Sequence, residues 1–240
     1  MTTTTHKSEI AEDVREKLGD CYLLVQTPQV AAIVWRRMLH KNHRDRLGGD
    51  FEDAYGRYRT VRMWQKLFGV SPARAVLDIS LGADLISSTT YRWLLQETGE
   101  VFAPGDGRLL AAVETGALVL LQSPPTAFWN GKKIELNWQK KMRAPWEFFW
   151  EISVKAKRGL VLDCRDVGEG ISRKAAENRK SHLLLPDAFP ADLGELFIAV
   201  GNGAYKLDVP PERIRIFELY HETTLVEFSG WRPAYPTRSR

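Results

Sequence analysis

The chain contains 240 residues, 44% of them hydrophobic and 27% charged, with a formal net charge of +4. This length can bury the core of one large domain or of two small ones. The apolar runs are much shorter than the roughly 20 residues of a membrane helix, and the first residues lack the apolar stretch of a secretory signal. Two cysteines, Cys21 and Cys164, are too few for a disulfide framework or an all-cysteine zinc site. We therefore expect a globular, cytoplasmic protein without a membrane segment.

The basic residues are unevenly distributed along the chain. The stretch from Trp35 to Lys66 contains many of them, namely Arg36, Arg37, Lys41, Arg44, Arg46, Arg57, Arg59, Arg62 and Lys66. Basic residues also outnumber acidic ones between Asn130 and His182. Such clusters attract polyanions such as nucleic acid, although an ordinary solvated surface can have the same composition.

Helical patterns dominate the first half of the chain. Apolar spacing and capping residues predict helices over Val30–Leu39, from the cap Asp50 to about Phe68, from Ser71-Pro72 to about Gly82, and from the cap Asp84 to Gly99. We expect three tryptophans, Trp35, Trp64 and Trp93, in the core of this half. These patterns predict a mostly helical domain over residues 1–108.

One segment of this helical half suggests a second interpretation. "WQKLFGVSPARAVLDIS" resembles the opening of a helix-turn-helix of the LacI kind, in which Gly-Val-Ser-Pro leads into the second helix. The resemblance implies that Ser71, Arg74 and the helix Asp84–Thr98 meet DNA. A simple helix-turn within an all-helical bundle is the alternative.

Strand patterns begin at Leu109 and alternate with helices to the end of the chain. The predicted elements are a strand over Leu118–Leu121, a hairpin around Asn130-Gly131, a helix from Pro145 to about Lys157, a short helix over Leu162–Val167, a helix over Ser172–Leu185, a hairpin around Gly201-Asn202-Gly203, and one or two strands over Ile214–Phe228. Together with the helical half, they predict an α+β protein whose second domain covers residues 109–240.

This order of elements resembles the effector domain of OmpR/PhoB-type transcription regulators over residues 113–209. The matching segments are "GALVLLQSPPTAFWNGKKIEL", "APWEFFWEISVKAKRG", "SRKAAENRKSHLLL" and "LFIAVGNGAYKLDV". The resemblance implies a winged helix-turn-helix preceded by a small antiparallel sheet. In such domains a helix enters the major groove, while basic groups and backbone amides hold phosphates.

The resemblance also implies which residues contact nucleic acid. On the helix that begins after Ser172 they are Arg173, Lys174, Glu177, Asn178, Lys180 and Ser181, and Lys206 follows the glycine-rich turn. We expect Arg173, Glu177 and Lys180 to form a solvent-facing ridge. Arg179 falls on the face expected to be buried, so either its side chain reaches out to solvent or the helical face is shifted by one residue.

Two functions remain open at this point. The first is a DNA-binding transcription regulator that recognises double-stranded DNA as a dimer or with a partner. The second is a non-enzymatic adaptor or subunit of a larger nucleoprotein or defence complex, in which the winged helix contacts protein or guide nucleic acid. We expect no catalytic residues, because no nucleophile, base and oxyanion donor occur together. We expect no cofactor or metal, since nothing completes a site around His40 and His43.

Overall fold

The protein has an α+β fold made of two compact units. The computed structural model describes residues 12–138, 142–167, 170–185, 187–221 and 223–231. The first unit runs to Glu100 and includes Trp231, and the second runs from Val101 to Gly230. The sequence placed the domain boundary at residue 108 instead. No helix in the described ranges is both long and apolar enough to cross a membrane.

Helices build the first unit. They are α1 (Glu12–Leu18), α2 (Asp20–Leu24), α3 (Pro28–Ile33) continued by a π-helical turn (Val34–Met38), α4 (Lys41–Arg46), α5 (Phe51–Phe68), α6 (Pro72–Gly82) and α7 (Ser88–Glu97). The core of the unit contains the fully buried Trp64 and Phe68 of α5, and Leu77 and Ile79 of α6.

Local sequence signals set the ends of α5 and the start of α6. The Asp50 carboxylate accepts a hydrogen bond from the Asp53 amide at 3.0 Å, and Gly69 ends α5 with a φ of 67°. The Ser71 hydroxyl accepts from the Arg74 amide at 2.9 Å, and Pro72 occupies the first turn of α6. These predicted boundaries are confirmed.

Two expectations for the first unit are wrong. Ser87, not Asp84, caps α7, and Asp84 adopts a φ of 58° in the turn before it. Trp93 on α7 is 55% exposed rather than part of the core. Its neighbours Leu94 and Leu95 are buried instead, because they lie on the inner face of the helix.

Short strands and three longer helices build the second unit. Its elements are β1 (Val101–Phe102), α8 (Arg108–Thr115), β2 (Leu118–Leu121), β3 (Thr126–Trp129), β4 (Lys132–Lys133), α9 (Arg143–Lys157), β5 (Leu162–Asp163), a 3-10 turn (Cys164–Asp166), α10 (Arg173–Leu184), α11 (Ala191–Gly194), β6 (Phe197–Gly201), β7 (Ala204–Leu207), a 3-10 turn (Pro211–Arg213), β8 (Ile214–His221) and β9 (Thr224–Glu227).

The strands form two sheets. The larger has the order β1–β9–β8–β2–β3–β4, and the smaller has the order β5–β7–β6. The predicted antiparallel hairpin at Asn130-Gly131 is present between β3 and β4. However, the larger sheet is mixed, because β8 from the C-terminal part pairs with β2 in parallel, from Leu118 opposite Ile214 to Leu121 opposite Phe217.

Two stretches of the second unit adopt a conformation other than the predicted one, and β1 and α11 were not predicted. Arg108–Thr115 is a helix, α8, which packs Ala112 and Val113 against the larger sheet. The stretch expected as a short helix over Leu162–Val167 begins with strand β5 and continues as a 3-10 turn. In both places short apolar runs fit either conformation, so periodicity alone does not decide between them.

Helix α9 forms the centre of the second unit's core. Its aromatic residues Phe148 and Phe149 are fully buried, and Trp146 packs against Trp138 with 4.9 Å between ring centroids. Phe149 also contacts Phe197 of β6, and Phe148 contacts Tyr205 of β7. The helix therefore anchors the smaller sheet, and α10 packs directly against it.

Candidate nucleic-acid interface

Helix α10 is a largely exposed helix held to the rest of the unit by few residues. The Ser172 hydroxyl caps it by accepting a hydrogen bond from the Ala175 amide at 3.2 Å. Within α10 only Ala176 and Leu183 are buried, in the core that also contains α9. Most of the helix surface is therefore open to solvent.

Five of the seven residues that the resemblance singled out lie exposed on this helix, namely Arg173, Lys174, Glu177, Asn178 and Ser181. The guanidinium of Arg173 and the ammonium of Lys174 have no hydrogen bond or ion pair with any described residue. Both cations lie in the first turn, where the helix dipole adds positive potential. They are available to an anion.

Lys180 has a different environment from the expected solvent-facing ridge. Its side chain is half-buried, and its ammonium donates a hydrogen bond to the Phe197 carbonyl of β6 at 3.1 Å. The same ammonium lies 5.7 Å from the ring centroid of Tyr205. Lys180 thus ties α10 to the β6–β7 hairpin, and this contact occupies the charge that was expected to meet DNA.

A groove separates α10 from the β6–β7 hairpin. It has a volume of about 210 Å³, and Arg173, Glu177, Lys180 and Ser181 line its helix side. Tyr205 lies on the strand side, together with the glycines of the turn. The ridge predicted from the sequence is therefore one wall of a cleft rather than a convex surface.

The groove alters the acidity of Tyr205. Burial raises the pKa of the Tyr205 phenol above its ordinary value, and the negative charge of Glu177 raises it further. The positive charge of Arg173 acts in the opposite direction. Both α10 side chains line the same groove as Tyr205, so their charges lie close enough to act on the phenol.

The hairpin turn has a backbone that requires glycine. Gly201, Asn202 and Gly203 all have positive φ angles, of 100°, 52° and 79°. A Cβ atom at Gly203 would lie 3.0 Å from the Cys164 sulfur and 3.3 Å from Cγ of Arg173. The turn approaches the start of α10 closely because Gly203 has no side chain.

The outer face of the hairpin is more apolar than expected. Lys206 forms an ion pair with Asp208 at 2.6 Å, so its charge is partly neutralised. Opposite Lys206 lies Ile198, which is 43% exposed, and Val200 on the same strand is 56% exposed. The uninterrupted apolar run Phe197–Val200 could have indicated this face from the sequence, because successive side chains of a strand point to opposite faces.

Arg179 shows how a charged residue fits the inner side of α10. Its side chain is half-buried and its guanidinium lies 3.4 Å from the Glu147 carboxylate on α9. The apolar part of the side chain thus packs inward while the charged end reaches an acidic partner at the surface. The first of the two explanations offered for Arg179 applies, and the helical face is not shifted.

The LacI-like interpretation of the first unit is wrong about Arg74. The Arg74 side chain is buried, and its guanidinium donates to the Asp78 carboxylate at 2.9 Å. Burial works against the charged form, but Asp78, Tyr91 and Glu100 outweigh it, so the pKa of Arg74 lies above its ordinary value. Ser71 acts as the cap of α6, and its hydroxyl donates to the Glu100 carboxylate at 2.6 Å. A buried, paired arginine cannot reach a DNA phosphate.

The second unit thus offers exposed cations, which can bind an anion, and an exposed apolar strand face. Among the residues that the structure describes, no group of three or more histidine, cysteine, aspartate or glutamate side chains could hold a metal ion. Comparisons with protein-family models, with curated protein sequences and with solved structures give no match to this chain.

Proposed function

We propose that residues 113–209 form a winged helix that binds double-stranded DNA, and that the protein acts as a transcription regulator. Support comes from the order of α9, β5, α10 and the β6–β7 hairpin, with the four-residue α11 between α10 and β6. The strand order β5–β7–β6 of the smaller sheet adds to it. A winged helix has a supporting helix, a short strand, a DNA-facing helix and a hairpin in this order along the chain. The 3-10 turn at Cys164–Asp166 takes the place of a longer helix before α10.

The observation that carries this proposal is the exposed pair Arg173 and Lys174 at the start of α10. Neither forms a hydrogen bond or ion pair with a described residue, whereas Lys180 bonds to the Phe197 carbonyl and Lys206 pairs with Asp208. In the proposed complex the pair holds phosphates, and Asn178, one turn further, meets base edges. Glu177 lines the groove beside Tyr205, where its negative charge raises the pKa of the phenol.

The decisive experiment measures binding of the full chain to a labelled pool of random-sequence duplexes. We expect affinity to fall steeply with salt, with a slope of about 0.9 per phosphate contacted. Arg173→Glu/Lys174→Glu should weaken duplex binding at least about tenfold, because it removes two contacts and adds two repulsive charges.

The control variant is Lys132→Glu/Arg213→Glu, which makes the same change of net charge at exposed positions away from α10 and the hairpin. We expect this control to bind duplex almost as well as the unmodified protein. Equal losses in the two variants, or no duplex binding at low salt, would refute the proposal.

A specific observation favours the second function, an adaptor that binds protein. Strand β6 is an edge of the smaller sheet, and its outer face exposes Ile198 and Val200 beside a neutralised lysine. An apolar edge strand can pair with a strand of another chain, including a second copy. In this function the hairpin is the contact surface, and α10 plays a supporting role.

The two functions make different predictions for the hairpin. Ile198→Lys/Val200→Lys should abolish self-association or partner binding if β6 is a protein interface, because two charges cannot be buried at a strand edge without a cost. The same change should leave duplex binding by Arg173 and Lys174 intact or slightly stronger. Sedimentation velocity of both forms, run beside the duplex assay, separates the two functions.

A further inference from the structure

Helix α5 of the first unit carries an exposed surface without acidic residues. From Ala54 to Leu77 the chain has no aspartate or glutamate. The basic side chains of α5 are all exposed, and none is paired with an acidic group of the described residues; they are Arg57, Arg59, Arg62 and Lys66. Four cations within ten positions thus remain uncompensated on α5, at and on both sides of the non-helical residue Arg59.

Two tyrosines lie among these cations. The guanidinium of Arg57 lies 5.7 Å from the ring centroid of Tyr58, and the Lys66 ammonium lies 5.3 Å from the same centroid. The Arg59 guanidinium lies 4.9 Å from the centroid of Tyr55. We call the side chains of Tyr55, Arg57, Tyr58, Arg59, Arg62 and Lys66 the α5 basic surface.

The opposite side of α5 fixes the orientation of this surface. Val61, Met63, Trp64, Leu67 and Phe68 are buried in the core of the first unit. Rotation of the helix would expose this apolar side, which costs roughly 25 cal/mol for each Å² of apolar area. Arg62 and Lys66, which lie in the same part of α5 as these residues, are therefore held facing solvent.

The arrangement has the two chemical components of a single-strand binding surface. Cations contact backbone phosphates, and aromatic rings stack on bases that are not paired. We infer that the α5 basic surface binds single-stranded nucleic acid, with Tyr58 stacking on a base while Arg62 and Lys66 hold the neighbouring phosphates. The half-exposed ring of Tyr58 already has cations on it, so a base can take their place while the cations move to phosphates.

The same observations disfavour two other polyanions. A duplex hides its base faces, so the tyrosines would contribute nothing to its binding. A lipid surface is favoured by exposed large apolar side chains beside the cations, and none of those found in the described residues lies on α5. The aromatic contribution is therefore the feature that identifies the partner.

The test uses the full chain and a fluorescein-labelled DNA single strand of roughly 16 nucleotides, the upper end of common single-strand site sizes. Its hybridised duplex and vesicles of anionic phospholipid are measured in parallel. Arg62→Glu/Lys66→Glu should weaken single-strand binding at least about tenfold and lower the salt slope by roughly 0.7 for each lost phosphate contact. The charge-matched control Lys132→Glu/Arg213→Glu should change neither.

Variants of Tyr58 distinguish stacking from charge alone. Tyr58→Ala should weaken single-strand binding about fivefold or more, while Tyr58→Phe, which keeps the ring, should bind like the unmodified protein. Circular dichroism of each variant checks that α5 still folds. Equal losses in both double variants, an unchanged affinity in Tyr58→Ala, or binding to duplex or vesicles but not to the single strand would overturn the inference.

The α5 basic surface and the start of α10 can be tested separately. Arg173→Glu/Lys174→Glu should keep its affinity for the single strand whatever it does to duplex binding, because the α5 cations are unchanged. A parallel loss of single-strand binding in that variant would place the binding site on the second unit and would also overturn the inference.

Discussion

The ammonium of Lys180 and the carbonyl oxygen of Phe197 are 3.1 Å apart, so one charged hydrogen bond joins α10 to the first residue of β6. This bond spans the groove in which Tyr205 lies, and the Lys180 charge also approaches the Tyr205 ring. The hairpin and the helix thus form one structural piece. A DNA-facing role for α10 must come from residues nearer its start.

The first prediction concerns this bond. Lys180→Met keeps the apolar stem and removes the donor, so the free energy of unfolding should fall by about 1 kcal/mol. This value lies below the roughly 1.5–3 kcal/mol typical of hydrogen bonds to charged groups, because the ammonium is only half-buried. Hydrogen exchange of the β6 and β7 amides should become faster, since the hairpin opens more often.

Lys174→Met is the matched comparison, because this lysine is on the same helix but exposed. It should change the free energy of unfolding by no more than about 0.5 kcal/mol, as surface substitutions usually do. If both variants exchange their hairpin amides at the same rate, Lys180 does not hold the hairpin.

The second prediction follows from the raised pKa of Tyr205, which burial causes first and Glu177 second. Above about pH 10, the ordinary pKa of tyrosine, the unfolded chain loses this proton while the folded protein keeps it. Stability should therefore decrease as the pH rises through that range. Tyr205→Phe should remove this contribution, measured by urea unfolding between pH 9 and 11.

Charge substitutions across the groove should move the same pKa in opposite directions. Glu177→Gln should lower the pKa of Tyr205, and Arg173→Gln should raise it, as followed by NMR of ring-labelled tyrosine. Glu114→Gln, which alters an exposed acid on α8 that does not influence Tyr205, is the control. No change in either groove variant would mean that α10 lies farther from β7.

Local sequence signals predicted much of the secondary structure. Asp50 and Gly69 mark the two ends of α5, and Asn130-Gly131 forms the turn between β3 and β4. These features were predictable because a cap or a turn depends on only a few neighbouring dihedral angles. The order of elements from α9 to β7 was also predicted, apart from the strand at Leu162 and the short helix α11. Caps and turns are local properties, so one sequence suffices to identify them.

Contacts between distant parts of the chain were not predictable in the same way. The parallel pairing of β2 with β8 joins residues almost 100 positions apart, from Leu118 to Ile214. The hydrogen bond from Lys180 to β6 likewise depends on tertiary packing, and so does the burial of Arg74. The two family resemblances made both residues look like DNA contacts. Candidate sites inferred from a resemblance therefore need the burial and partners of each side chain.

The third prediction concerns the buried polar cluster around Asp78. Its carboxylate accepts hydrogen bonds from Arg74 Nε at 2.9 Å, from the Tyr91 hydroxyl at 2.7 Å and from Trp64 Nε1 at 3.3 Å. Asp78→Asn should lower the free energy of unfolding by about 3 kcal/mol, because it removes the anionic group that is hydrogen-bonded to the buried Arg74 guanidinium. Urea unfolding followed by tryptophan fluorescence measures the loss.

A double variant identifies the cause of that loss. Arg74→Met/Asp78→Asn should be more stable than Asp78→Asn alone, since the buried charge is gone while an acceptor remains for Trp64 and Tyr91. Asp45→Ala, at an exposed acid of α4, should be almost neutral. A double variant no more stable than the single one would show that the pair does not account for the effect.

The fourth prediction uses the backbone at Arg59, whose φ of 58° and ψ of 170° interrupt α5. Glycine adopts a positive φ freely, so Arg59→Gly should raise the free energy of unfolding by about 1 kcal/mol, the relief of strain less the backbone entropy of glycine. Arg57→Gly removes the same charge from a helical position and should lower it by about 1 kcal/mol. Both variants should bind the labelled single strand more weakly, since each lacks one cation. Urea unfolding gives the sign of each change, and a destabilised Arg59→Gly would show that the kink carries no strain.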